Sequence, residues 1–384
     1  MKILVLGAGW MGRAVVFDLL RNHHMERIIV ADANAQALKE TEAFVKAEND
    51  LRFLAKKINV EDEEALKKLM SQVDTVVSAV TYKYNYKLAR LAVQCGCNFC
   101  DLGGNNTIVA QELSLHDKAK KKNITIIPDC GLAPGMVSVL VADGIGQMDE
   151  TTDVQIRVGG LPLEPRPPMN YKLVFSVHGL INEYVEPCVK IQSGEVVTVD
   201  PMVDVEELEF PAPFGKLEAF NTSGGTSTLP QTYLGKVKNL DYKTIRYPGH
   251  AAQFKLLMDL GLTESKPVKV GNDTVVPRDL LAQNLTKVLT MEGRDAVLVR
   301  VTVKGIKDGN PKEIQYQIVD YGDASNNITA MMRLTSYPIS VIAQMMTEGK
   351  ITEKGAVPQE LAVPTRSFIE ALRARNIDIQ ITES

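Results

Sequence analysis

The stretch "KILVLGAGWMGRAVVFDLL", residues 2–20, decides the fold. An apolar run of strand length enters "GAGWMG", and a helix is expected from about Met11 to Arg21. In such a strand–turn–helix, Gly7 permits the tight turn and Gly9 lets backbone approach a pyrophosphate. Gly12 lets helix and strand pack closely, with the phosphates at the helix N-terminus. Gly7, Gly9, Trp10, Met11 and Gly12 are therefore the expected dinucleotide contacts. The next strand, "RIIVAD", ends on Asp32, twenty residues beyond Gly12. A carboxylate there accepts hydrogen bonds from a ribose diol and repels a 2′-phosphate. The following "DANAQ" offers no arginine to receive such a phosphate, so the expected cofactor is NAD rather than NADP. The plainer alternative is a structural glycine turn with no ligand.

Outward from that turn, buried strands alternate with helices to about residue 130. A helix is expected from about Ala35 to Ala47, then the strand "DTVVSAV", the helix "KLARLAVQC", and the strands "NFCDLG" and "ITIIPD" around a charged helical segment. Unbroken apolar strands with helical spacers predict an α/β, Rossmann-type doubly wound parallel sheet covered on both faces. Beyond about Gly135 the pattern changes to hairpins, in "VKIQSGEVVTV", "VKVGNDTVVP" and "AVLVRVTVKGIKDGNPKEIQYQIVDYG". Short Gly, Asn and Asp turns between alternating strands predict a second α+β domain with a mostly antiparallel sheet. "ITAMMRLTSYPISVIAQMMTEGK" reads as a long apolar helix crossing back to the first domain. The expected division is 1–135 for the nucleotide domain, 136–328 for a substrate domain and 329–384 for the returning segment.

At 384 residues, two domains are the natural prior. A formal net charge of −4 argues against a nucleic-acid partner, whose phosphates ask for a basic face. No apolar run reaches the roughly 18 residues of a membrane span. The opening residues run straight into a strand, so the expectation is a cytoplasmic protein. Cys95, Cys97 and Cys100 in "CGCNFC" lack a fourth ligand at zinc spacing, and five cysteines give no disulfide framework. No metal is expected.

Ligands of open parallel sheets sit beyond the carboxyl ends of the strands. Those ends are "SAVTYKYN" (78–85), "DLGGNN" (101–106) and "PDCGLAPGM" (128–136). Ser78, Ala79, Val80 and Gly103 are expected along the cofactor. Tyr82, Lys83 and Asp129 are candidates on the substrate side. Each has a plainer reading: Lys83 starts a solvated helix, and Asp129 caps a turn.

The segments "GAGWMG", "PDCGLAPGM", "GGLPLEPRPPMNYKLVFSVHGLINEY", "LEAFNTSGGTSTL" and "YKTIRYPGH" resemble the saccharopine dehydrogenase-like family over essentially the whole chain. Saccharopine reductases of that family typically read GLDPG where this chain has Ala133, and tend to carry Arg where it has His178. Both departures weigh against saccharopine itself. The resemblance implies NAD-dependent oxidative deamination of the L-lysine side-chain amine, giving 2-aminoadipate 6-semialdehyde, ammonia and NADH. It places "TIRYPGH" against the nicotinamide. Arg246 would grip the substrate carboxylate by two parallel hydrogen bonds. Glu183 would meet the α-ammonium, with Tyr82, Tyr171, Asn221, Thr222 and Ser223 around it. Asp129, Lys83, His178 and His250 are the candidates for the base, unranked. The alternatives are a saccharopine or carboxynorspermidine type of reductase and a non-catalytic NAD-binding sensor. A homo-oligomer, a dimer or a multiple of one, is expected.

Overall fold

A computed structural model describes residues 1–384. It divides into two compact units, residues 1–146 with 332–377, and residues 147–331 with 378–384. The first unit opens with β1 (Lys2–Leu6), α1 (Trp10–Leu20), β2 (Arg27–Asp32), α2 (Ala35–Val45), β3 (Phe53–Lys57) and α3 (Glu63–Met70). It continues with β4 (Thr75–Ser78), α4 (Asn85–Cys95), β5 (Asn98–Asp101), α5 (Asn106–Leu113), α6 (His116–Lys121), β6 (Thr125–Ile127) and α7 (Met136–Ile145). The second unit holds β7 (Glu150–Pro162), α8 (Val177–Val185), β8 (Cys188–Gln192), β9 (Glu195–Val199), β10 (Glu206–Phe210) and β11 (Gly215–Asn221). Next come α9 (Leu229–Thr232), β12 (Val237–Arg246), α10 (His250–Asp259), β13 (Val268–Val270) and β14 (Asp273–Val275). α11 (Pro277–Leu289), β15 (Asp295–Lys307) and β16 (Asn310–Asp320) end that run. The closing elements are α12 (Ala330–Thr347), β17 (Gly355–Ala356), α13 (Gln359–Ala362), α14 (Thr365–Arg373) and β18 (Gln380–Glu383).

The first unit is a seven-stranded sheet in the order β17-β6-β5-β4-β1-β2-β3, parallel throughout. Ile3, Leu4, Val5 and Leu6 are fully buried, as a strand covered on both faces requires. The strand order reverses between β1 and β4, so the Gly7 turn and Ser78 lie at the switch point where such sheets take ligands. The helix-rich sequence reading passed over β3 and α3. β3 reads FLAKK, and its two exposed lysines at the sheet edge hide the strand signal.

α12 is the long apolar helix expected, and it packs on α1 through side chains. Ser336 donates to Met11 O (3.0 Å), Ser340 to Asp18 Oδ2 (2.6 Å), and Arg375 Nε to Asp18 Oδ1 (2.7 Å). α7 also belongs to this unit, so the first break falls after Gly146 rather than at 135. Its apolar residues are buried on every side, which seats it in this core rather than on a surface. The last seven residues belong to the second unit, where β18 pairs with β16.

The second unit is a nine-stranded mixed sheet. Its main path runs β10-β11-β12-β7-β15-β16-β18, with β8 on β12 and β9 on β8. Only β12 and β7 pair in parallel. Tyr171, Leu180, Tyr184, Phe220, Phe254 and Leu285 form an apolar cluster under α8, α10 and α11. No helix is long and apolar enough to cross a membrane.

Candidate functional site

In the first unit, sterics within the protein explain two of the three glycines of the turn. A Cβ on Gly12 would stand 1.9 Å from Gly7 O, and one on Gly7, at φ +102°, would stand 2.7 Å from Ala79 O. Gly9 differs: a Cβ there would meet nothing within 4 Å. Open space in front of Gly9, at an N-terminus without a side-chain cap or an acidic residue in its first turn, fits a pyrophosphate. Trp10 projects from the same turn, 58% exposed. Asp32 Oδ2 accepts Ala8 N–H (2.8 Å) and Oδ1 accepts Asn34 N–H (2.7 Å), so the carboxylate is fixed beside the turn. Lys57 is its register neighbour on β3.

The ends of β4, β5 and β6 carry the other expected residues of this unit. Ser78 Oγ donates to Asn85 Oδ1 (2.8 Å), tying the strand end to the start of α4. Ala79 and Val80 pack on Gly7. Tyr82 is half-buried beside Gly104, whereas Lys83 is exposed, with its Nζ 4.8 Å from the Tyr84 ring centre. Asp129 is buried, at φ +59°, and accepts Gly104 N–H (3.3 Å). Gly103 is demanded by Asp129 itself, since a Cβ would stand 1.6 Å from its Oδ1. Asp101 and Glu112, which the sequence reading passed over, are buried next to it. Cys100 and Cys130 are buried, and loss of hydration raises both thiols well above their ordinary value.

The second unit gathers its polar residues around Arg246, the last residue of β12. Arg246 is 3% exposed, yet its guanidinium carbon lies 4.6 Å from the Tyr171 ring centre and 5.7 Å from that of Tyr184. Burial opposes the charge, but Tyr184, Tyr171 and Glu183 outweigh it and hold the group cationic. Nε–H donates to Tyr184 Oη (2.7 Å) and Nη1–H to Ile245 O (2.9 Å), while Nη2 has no protein acceptor. Tyr171 Oη is buried and makes no hydrogen bond, and burial pushes its phenol up to about 12. Glu183 Oε1 accepts from Thr244 (2.7 Å), and the hydroxyls of Thr244 and Thr222 are 2.7 Å apart. Burial raises the Glu183 carboxyl while Arg246 pulls it back.

His250 begins α10 and is fully engaged. Nε2 faces Tyr184 Oη (3.1 Å), and Nδ1 faces Met169 O (3.1 Å). Met169 O can only accept, so Nδ1 carries the proton and Tyr184 donates to Nε2. Burial, then Arg246, drives the imidazole pKa down to about 3. His250 therefore orients Tyr184, a correction to its expected role as a base. His178 is exposed on the first turn of α8, where it lines a separate open groove of about 900 Å³ with Val177, Asp279 and Lys287. It does not join the Arg246 cluster, so the structure removes it too from the candidates around that side chain. Asn221 and Thr222 are buried at the end of β11, and Ser223 N–H donates to Glu183 O (2.9 Å).

Tyr184, Thr244 and Glu218 escaped the sequence reading. Glu218 accepts Gly249 N–H (2.8 Å) and Ala251 N–H (2.7 Å), which pins the Pro-Gly turn to β11. The available signal was the adjacency of Tyr184 to Glu183 and of Thr244 to Arg246 by a two-residue strand period.

A parallel-sheet nucleotide fold followed by a mixed-sheet unit that buries Arg246 among tyrosines defines a class of two-unit, pyridine-nucleotide-binding dehydrogenase folds. Within that class the chain belongs to the saccharopine dehydrogenase family. Residues 3–127 match the saccharopine dehydrogenase NADP binding domain and residues 131–377 the saccharopine dehydrogenase C-terminal domain. The mitochondrial alpha-aminoadipic semialdehyde synthase of Bos taurus is 23% identical over 92% of this chain, which spans 45% of that protein. The carboxynorspermidine synthase of Vibrio cholerae is 21% identical over 100% of this chain and 97% of its own. The apo saccharopine dehydrogenase (L-Glu forming) of Saccharomyces cerevisiae shares the fold, with a TM-score of 0.81, 17% identity, and coverage of 100% of this chain and 99% of that one. The chain thus spans about half the length of the mammalian relatives it matches.

Proposed function

We propose that the protein is an L-lysine 6-dehydrogenase, oxidising the side-chain amine of L-lysine with NAD to 2-aminoadipate 6-semialdehyde and ammonia. The observation that carries the reading is the buried Arg246, with free Nη2 donors and the unpartnered Tyr171 Oη beside it. One cation and one phenol suit one carboxylate, and Glu183 offers the α-ammonium an acceptor. A saccharopine-type conjugate carries more carboxylates and would ask for more cations. The other arginine buried in this unit, Arg157, is already paired with Glu206 and Asp241.

The nicotinamide, when bound, supplies the hydride acceptor. The residues of this chain must orient lysine and leave its reacting amine neutral. Removing a proton from an amine of pKa about 10.4 at pH 7 costs roughly 5 kcal/mol, so a base or a dry environment is needed. Asp129 is the buried carboxylate at the strand ends that fits this role. Asp32 supports NAD over NADP. Lys57 beside it and the description of the matching N-terminal family favour the second reading, NADP.

The deciding experiment mixes the protein with NAD or NADP and L-lysine, saccharopine or ornithine, following reduced cofactor and ammonia together. Lysine-dependent NADH with equal ammonia supports the proposal. Saccharopine-dependent reduction without ammonia overturns it in favour of the conjugate reading. Cofactor binding with no turnover on any amine favours the sensor.

A further inference from the structure

Beneath the turn at residues 102–105 lies a set of buried carboxylates, two of which, Asp101 and Glu112, have no part in the proposed reaction. Asp101 ends β5, Asp129 follows β6 and Glu112 lies on α5; Asp101 and Glu112 are fully buried and Asp129 is 1% exposed. Asp101 Oδ1 accepts Gly103 N–H (2.6 Å) and Asp129 N–H (3.4 Å), while Asp129 Oδ1 accepts Gly104 N–H (3.3 Å). Asp101 Oδ2 and both Glu112 oxygens have no donor from any other residue. Glu112 and Asp101 nonetheless stand within hydrogen-bonding reach of each other. Two ionised carboxylates cannot hydrogen-bond to each other, and no cation acts on Asp101 or Glu112, so two dry negative charges side by side would be prohibitive.

We propose that Glu112 is a positioning residue, present in the fold as a neutral carboxylic acid that donates its O–H to Asp101 Oδ2. The bond fixes Asp101, which holds the Gly103 N–H and the Asp129 backbone, and so sets the turn at the carboxyl end of β5. The charged groups acting on the pair are each other and Asp129, with the Cys100 and Cys130 thiols alongside. Burial first, then Asp101, pushes the Glu112 carboxyl up to about 11, and burial, then Asp129, takes Asp101 up to about 7. The inference rests on the nucleotide fold alone and does not depend on which amine is oxidised.

The test compares unfolding of the full chain with Glu112→Gln and Glu112→Ala between about pH 5 and 9. A folded-state pKa above the unfolded value means the native protein keeps a proton that the unfolded chain releases. Stability then falls as pH rises from about 4.5. Glutamine keeps a donor toward Asp101 but has no proton to retain. The ratio of folding constants, Glu112→Gln over wild type, should therefore grow about tenfold per pH unit. Parallel curves would mean an ionised glutamate and overturn the proposal. Reduced-dinucleotide affinity should be kept in Glu112→Gln and fall about tenfold in Glu112→Ala; equal affinity in both removes the positioning role. Should neither variant fold, the wild type in heavy water at pH 8 serves alone. A protonated-carboxyl infrared band that shifts with carbonyl-13C glutamate supports the proposal, and its absence sinks it.

Discussion

The glycine turn of the first unit is made of backbone, and the Arg246 cluster of the second is made of side chains. In the turn, the determinants are three residues within six positions of one another, and what matters is the absence of side chains. In the cluster, Tyr171, Glu183, Tyr184, Thr222, Thr244, Arg246 and His250 come from five separate elements and loops. Each has its charge or hydrogen bond set by the others. A backbone site tolerates change everywhere except at its glycines, whereas a side-chain site should fail by degrees along its hydrogen-bond chain.

The largest effect expected is at Arg246. Arg246→Ala removes the cation facing the proposed substrate carboxylate, a loss on the order of 2–5 kcal/mol, or about 30-fold to several thousand-fold. The lysine KM should rise by that factor while NAD affinity stays put. Loss of both in a folded protein would make Arg246 a structural residue and dissolve the contrast between the units. The glycines come next. Gly12→Ala forces a Cβ into Gly7 O and should destabilise the first unit outright. Gly9→Ala meets open space and should fold normally yet bind dinucleotide at least about tenfold more weakly. Fluorescence of Trp10, the single tryptophan, gives the readout at the turn itself. Normal binding by Gly9→Ala would remove the reason to assign that space to a pyrophosphate.

The same contrast explains what was legible in the sequence. The turn, β1, β2 and the buried strand ends were readable because their signals are contiguous: an apolar run, glycines at fixed offsets, an acid at a strand end. The hairpins β8/β9, β13/β14 and β15/β16 were readable from their turns. β10, β11 and β12 were not, since charged side chains interrupt their apolar pattern and the turn between β10 and β11 is built on prolines. The stretch "YKTIRYPGH" was visible as a polar cluster, but not as a strand end joined to a helix start. Its partner Tyr184 lies 62 residues away, and nothing in one sequence marks that pairing. Glu112 was unreadable for a similar reason: a glutamate in a charged helix looks solvated until the fold buries it.

A smaller effect separates the two units by sign. His250 is held neutral with its pKa at about 3, below an unfolded value near 6.5. As pH falls through that interval the unfolded chain takes up a proton that the fold refuses, so stability falls toward acid. Glu112 works in the opposite direction. His250→Gln should flatten the acid limb of the stability curve and leave the alkaline limb unchanged, as followed by chemical denaturation from about pH 6 to 4. A variant that moves both limbs would indicate general loosening rather than release of one buried imidazole.

The smallest effect is the most discriminating. Tyr171→Phe deletes only an Oη that makes no hydrogen bond within the protein, and keeps the ring on which the Arg246 guanidinium rests. An unsatisfied buried hydroxyl costs stability, so its removal should leave the melting temperature unchanged or slightly higher. If that hydroxyl serves the substrate carboxylate, the lysine KM should rise about fivefold to tenfold, the net worth of one ordinary hydrogen bond. The kcat should hold, because the contact is made equally before and during the reaction. An unchanged KM would leave Arg246 as the lone anchor, and a lowered melting temperature would show the phenol to be part of the packing instead.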